Sequence, residues 1–254
     1  MASDMKFVII ANPRTGTNHF IDLLNSHPNI SCHREVFHRH SVYLLEGTRD
    51  DLFEKRNHDP VAFLHELYNS SPTQACGFKI FMGHDDVVLN TVLQDPEIKK
   101  IILYRPNFLA VYSSDMIAEA EQRYLIFDQT QDRIDSGIRD KARTSAKAVF
   151  DRTQFEMRWR DYHSHYQKVV KVLNETNQVY LFMTYDDYIN EGLFRRVFPF
   201  LGLAQPEQVQ TRMKKMNSSD ILSRFANPDE VRDYLTETGI LHWAHEGFMI
   251  WPQV

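Results

Sequence analysis

Four short apolar runs rich in β-branched residues divide this chain of 254 residues: KFVIIA (Lys6 to Ala11), CGFKIF (Cys76 to Phe81), KKIILY (Lys99 to Tyr104) and QVYLFMTY (Gln178 to Tyr185). Runs of this length without polar alternation are strands buried on both faces, and each is followed by a segment that can be helical. Strands alternating with helices point to an α/β fold, a central mainly parallel sheet flanked by helices.

Local signals refine that frame. In HDPVAFLHELY, Asp59 is an N-cap and Pro60 the first helical residue. From Phe155 onward, Trp159, Tyr162, Tyr166, Val169, Val170 and Leu173 recur at steps of three and four, which makes a long amphipathic helix whose aromatic stripe is core. The segment from Glu119 to Lys147 is polar with weak periodicity, and reads equally as a lid beside a site or as a solvated helical excursion. No repeat, low-complexity tract or Pro/Gly/Ser linker interrupts the chain, so a single domain over residues 1–254 is expected.

Composition excludes several classes. A net charge of -5 argues against a broad basic face for nucleic acid, though a local basic pocket is compatible with it. With only Cys32 and Cys76, a disulfide framework is not expected and a reducing compartment is the simpler setting. The first residues lack the pattern of a signal peptide, and no run approaches a membrane span, so the expected location is cytoplasmic.

The most informative stretch is NPRTGTN, Asn12 to Asn18, between the first apolar run and the helical HFIDLLNSH. In open α/β sheets ligands bind at the carboxyl ends of strands, and a helix N-terminus there presents unpaired N–H groups and a positive dipole end. Gly16 lets the chain curl around an anion, Thr15, Thr17 and Asn18 add short donors, and Arg14 adds a fixed charge. The turn is suited to a phosphate, but it is not the nucleoside-triphosphate motif G-x-x-x-x-G-K-[ST]. Ala11 stands where the first Gly belongs, and Thr17 where the phosphate-binding Lys belongs.

PRTGTN after a buried strand resembles the 5′-phosphosulfate loop, P-[KR]-[ST]-G-[ST], of sulfotransferases that use 3′-phosphoadenosine 5′-phosphosulfate (PAPS). The Arg form is similar to the bacterial carbohydrate sulfotransferases, such as those acting on trehalose or nodulation factors. A second motif, RPNFLAVYSS, follows the run KKIILY: Arg105 and, eight residues on, Ser113 have the spacing of the family's 3′-phosphate ligands. An Arg fork at a strand end and a hydroxyl two helical turns later can converge on one phosphate. Pro106 is compatible with a first-turn helix position.

The resemblance implies a P-loop-like three-layer fold and a sulfuryl transfer from PAPS, with 3′-phosphoadenosine 5′-phosphate (PAP) as product and no metal. It implies cofactor contacts from Arg14, Thr15, Gly16, Thr17, Asn18, Arg105 and Ser113, and from Lys215 in the late segment KKMNSSDILSRFANPDEV. Glu35 in REVF matches the catalytic Glu of the carbohydrate and heparan-type enzymes, with His33 as an alternative base. Glu35 and Arg14 are thus the expected catalytic residues, and the expected acceptor is a hydroxyl on a carbohydrate or glycolipid. Lys79 in GFKIF reads either as a basic residue pointing to the active centre or as an end-of-strand snorkel. His33, His38 and His40 lack the partners of a zinc site. Phe37, Tyr124, Phe127 and Trp159 line an acceptor cleft or belong to the core.

Two other readings compete. A divergent phosphotransferase using ATP and magnesium needs a metal-holding Asp, which Asp186 or Asp187 in TYDDY can supply. A non-catalytic nucleotide-binding domain of the same fold would keep the turn without the reaction.

Overall fold

The computed structural model describes residues 4–121, 146–190, 194–211 and 217–246. It contains two compact units, one formed by residues 1–104 and 162–211, the other by residues 105–161 and 212–254.

Unit 1 is built on five parallel strands: β1 (Met5–Ala11), β2 (Ile30–Cys32), β3 (Ala75–Phe81), β4 (Ile98–Tyr104) and β5 (Tyr180–Thr184), in the order β2-β3-β1-β4-β5. The four apolar runs are four of these strands. Phe7 to Ala11 are completely buried in the centre of the sheet, as expected of a strand covered on both faces. The sequence signals did not reveal β2. Its three residues pair only with β3, at the sheet edge, and are too few to carry a periodicity. β5 begins at Tyr180 rather than Gln178: the Gln178 N–H donates to the Leu173 carbonyl at 2.9 Å, and pairing with β4 starts at Tyr180 opposite Lys100.

Helices flank the sheet. In unit 1 they are α1 (Thr17–Asn25), α2 (Phe53–His58), α3 (Pro60–Asn69) and α4 (Asp86–Gln94). The Asp59 carboxylate accepts from Ala62 N–H at 2.9 Å, so α3 starts where its cap and proline predict. α5 (Phe108–Glu121) lies in unit 2, and α6 (Arg152–Glu175) contributes residues to both units. In the α6 stripe Phe155, Tyr162, Tyr166, Val169 and Leu173 are buried, and Trp159 and Val170 are half-buried. α7 (Tyr185–Ile189) follows β5 directly.

The segment from Glu119 to Lys147 falls mostly outside the described residues, as do Tyr124, Phe127 and Lys215. No described helix is long and apolar enough to cross a membrane.

Candidate active site

The carboxyl ends of four parallel strands supply the groups of interest in unit 1. After β1, the N–H of Asn12 donates to the Tyr166 oxygen at 3.0 Å, and the Tyr166 hydroxyl donates to the Leu103 carbonyl at 2.8 Å. One buried tyrosine of α6 thereby ties the start of the turn to β4. The Thr15 hydroxyl then donates to the Asn12 carbonyl at 2.7 Å and closes the turn.

Arg14 and Gly16 both adopt positive φ, 64° and 82°. A glycine is required at position 16 for a second reason. A Cβ there would stand 2.0 Å from the Tyr188 oxygen and 2.7 Å from the Tyr185 ring, while the Tyr188 hydroxyl donates to the Gly16 carbonyl at 3.1 Å. The N-cap residue of α1 is Gly16, which has no side chain to cap the first-turn N–H groups, and these point toward the turn.

Glu35 stands three residues beyond β2, and Lys79 is on β3. The Lys79 ammonium lies 2.9 Å from Glu35 Oε1 and also donates to Asn18 Oδ1, with Thr17 Oγ1 at 3.5 Å. Lys79 is 1% exposed, which excludes the snorkel reading: it points into the cluster beside the turn. Burial pushes the Glu35 carboxyl up, but Lys79 and the nearby His84 and His38 outweigh it and hold Glu35 below the usual carboxylate range. Burial lowers Lys79, and its pairing with Glu35 opposes that shift.

His84 Nε2 is 3.6 Å from Glu35 Oε2, and burial brings this imidazole down to about 4. Donor atoms of Glu35, His38 and His84 lie within 4.8 Å of one another. They do not form a good metal-ligand set. Backbone N–H groups of Phe81 and His40 donate to Nδ1 of His84 and His38, both at 3.3 Å, which leaves the imidazole protons on Nε2. In His84 that protonated nitrogen is the one facing Glu35. His33, the alternative base, is buried, with Nδ1 accepting from Leu45 N–H at 3.1 Å. Glu35 keeps 24% of its side chain exposed and is the more accessible carboxylate or imidazole of the two.

Asp187 is engaged elsewhere. Its carboxylate accepts from Thr184 N–H at 2.8 Å while Thr184 Oγ1 accepts from Asp187 N–H, a reciprocal cap on α7. This weakens the ATP and magnesium reading at one of its two candidate ligands.

In unit 2, Arg105 follows β4 in the chain, and Ser113 is buried on α5. α5 begins at Phe108, not at Pro106, because Asn107 Oδ1 accepts from Ala110 N–H at 3.1 Å and caps it. Asn107 Nδ2 also donates to the Trp243 carbonyl at 3.0 Å. Ser113 is met by a residue the sequence reading passed over: Arg224, 4% exposed, donates from Nη1 to Ser113 Oγ at 3.2 Å and from Nε to the Ser218 carbonyl at 2.9 Å. The Glu246 carboxylate pairs with Arg105 through Oε1 and with Arg224 Nη2 through Oε2, the latter at 3.0 Å. The signal for Arg224 was an arginine set among Ile221, Leu222 and Phe225, where a buried charge needs partners.

The chain is similar to the crystal structure of a sulfotransferase from Alicyclobacillus acidocaldarius, with 15% identity, a TM-score of 0.49, and 94% of this chain and 96% of that chain covered. No curated protein is significantly similar. The sulfotransferase domain profile matches residues 4–225, which takes in the turn, Glu35, Arg105, Ser113 and Arg224. The chain therefore belongs to the sulfotransferase domain family.

Proposed function

We propose that this protein is a PAPS-dependent sulfotransferase whose acceptor is a carbohydrate or glycolipid hydroxyl, acting as a single sulfotransferase domain in the cytoplasm. The observation that carries the reading is Lys79: one buried ammonium touches both the Glu35 carboxylate and the side chains that open α1, so a base and an anion-binding turn are held together. The donor's features find matching groups. The capless α1 N-terminus, the Cβ-free Gly16 and Arg14 suit a phosphosulfate. Arg105, Arg224 and Ser113 suit a 3′-phosphate, and Arg105 and Arg224 already hold a carboxylate oxyanion. Both cysteines are free and buried, consistent with a reducing compartment.

The bound donor supplies a sulfuryl group, whose sulfur forms a bond to the acceptor oxygen as its bond to the bridging phosphate oxygen breaks. Glu35 takes the proton from the acceptor hydroxyl, and its ionised state is what Lys79 maintains. Arg14 and the N–H groups of Thr15 to Asn18 stabilise the charge that accumulates on the departing phosphate oxygens. Arg105, Ser113 and Arg224 take the 3′-phosphate, which distinguishes the donor from a nucleotide with a free 3′-hydroxyl. A glutamate rather than a histidine base is the feature that favours a sugar hydroxyl over a phenol. Lys215 remains a proposed donor contact on resemblance alone.

Glu35→Gln tests this reading. Label transfer from PAPS to sugar acceptors should fall roughly 10²–10⁴-fold, with PAP affinity within about threefold of the parent. Undiminished transfer would remove Glu35 as base, and stabilisation by ATP with magnesium but not by PAP would overturn the donor assignment.

A further inference from the structure

Within unit 2, Arg105 and Arg224 are buried, with Glu246 between them. Burying two guanidinium groups without a counter-charge is costly, and the Glu246 carboxylate supplies a counter-charge that meets both. Its placement is fixed by the backbone. Glu246 N–H donates to the Ser219 carbonyl at 2.8 Å, Ile221 N–H to the Ala244 carbonyl at 2.9 Å, and His245 bridges Asp220. Asn107, the cap of α5, holds the Trp243 carbonyl three residues upstream. The carboxylate is therefore carried into the corner by an ordered segment that pairs with residues 219–221.

We propose that Glu246 is a built-in competitor for the Arg105–Arg224–Ser113 corner, which a ligand must displace with its own anion. This rests on the reading of the corner as the donor's 3′-phosphate subsite. A phosphate dianion carries more charge and offers more acceptor oxygens to the two guanidinium groups than a carboxylate does. A nucleotide with a 3′-hydroxyl brings no charge and leaves Glu246 in place. Glu246 therefore weakens the binding of a 3′-phosphate nucleotide and leaves one without that phosphate unaffected.

The experiment measures PAP and ADP affinities of the wild type and of Glu246→Gln, beside label transfer from PAPS by the wild type. Loss of the competitor should tighten PAP at least about 10-fold, while ADP, lacking the 3′-phosphate, changes less than about threefold. Equal PAP affinity in the two proteins, weaker binding in the variant, or an equal gain for ADP would overturn the inference. Unchanged PAP affinity with transfer intact would sink only the competitor. A PAP gain without any transfer would sustain it and sink the enzymatic reading, and binding of PAP by neither protein would sink both. If Glu246→Gln does not fold, hydrogen exchange of the wild type decides. Saturating PAP should speed exchange at residues 244–246, and unchanged or slower exchange there would overturn the displacement.

Discussion

The turn after β1 and the corner at Arg105 both suit oxyanions, yet they are made in opposite ways. The turn is mostly backbone: N–H groups at a helix start, with the chain bent through positive φ at Arg14 and Gly16. The corner is side chain: two buried guanidinium groups and a hydroxyl, with the protein's own Glu246 paired to both guanidinium groups. Partial charges on N–H groups cost little to leave facing solvent, so the turn needs no internal counter-ion. Full charges in a buried corner do need one. The backbone site stores its cost as conformational strain, and the side-chain site stores it as an ion pair to be exchanged.

That contrast can be broken most forcefully at Arg224. Arg224→Met leaves Glu246 with one partner fewer in a buried setting and should cost about 3–5 kcal/mol of stability by chemical denaturation. A loss below about 1 kcal/mol would equate the corner with a surface ion pair.

An intermediate effect comes from pH and belongs to unit 1. His84 and His165 are both held to about 4, chiefly by burial, against an ordinary 6.5. The folded state keeps them neutral where the unfolded chain would be protonated, so between pH 6.5 and 4 the unfolded state binds more protons. Their contribution is full above about 6.5 and lost as pH falls toward 4. The melting temperature should drop across that window, and His165→Phe should flatten the drop. A melting temperature that stays level from pH 7 to 4.5 would contradict this.

The smallest effect is at Arg14. A non-glycine residue at φ 64° carries left-handed strain, so Arg14→Gly should raise stability by up to about 1 kcal/mol while transfer from PAPS falls. Loss of stability together with activity would show that the side chain holds the turn as well as serving it.

The sulfotransferase resemblance was legible because its two phosphate motifs are contiguous: PRTGTN, and Arg105 with Ser113 on one strand-to-helix segment. The four main strands were legible for the same reason, since burial on both faces writes itself as an unbroken apolar run. Strand β2 was not, because an edge strand of three residues takes its hydrogen bonds from β3 rather than from any pattern of its own. Lys79 stood between two readings, since a lysine within a buried strand has the same sequence whether it snorkels or pairs. Its contact with Glu35 settled where it points.

By itself, then, the sequence determined the parallel α/β frame and the tight turn from β1 into α1. Both depend on groups that are neighbours in the chain, and backbone N–H groups point the same way whatever the distant residues do. Only the tertiary structure decided which charges meet: Lys79 with Glu35 across β2 and β3, and Arg224 and Arg105 with Glu246. A buried charge takes whichever partner the packing brings within hydrogen-bond reach, and no local spacing encodes that choice.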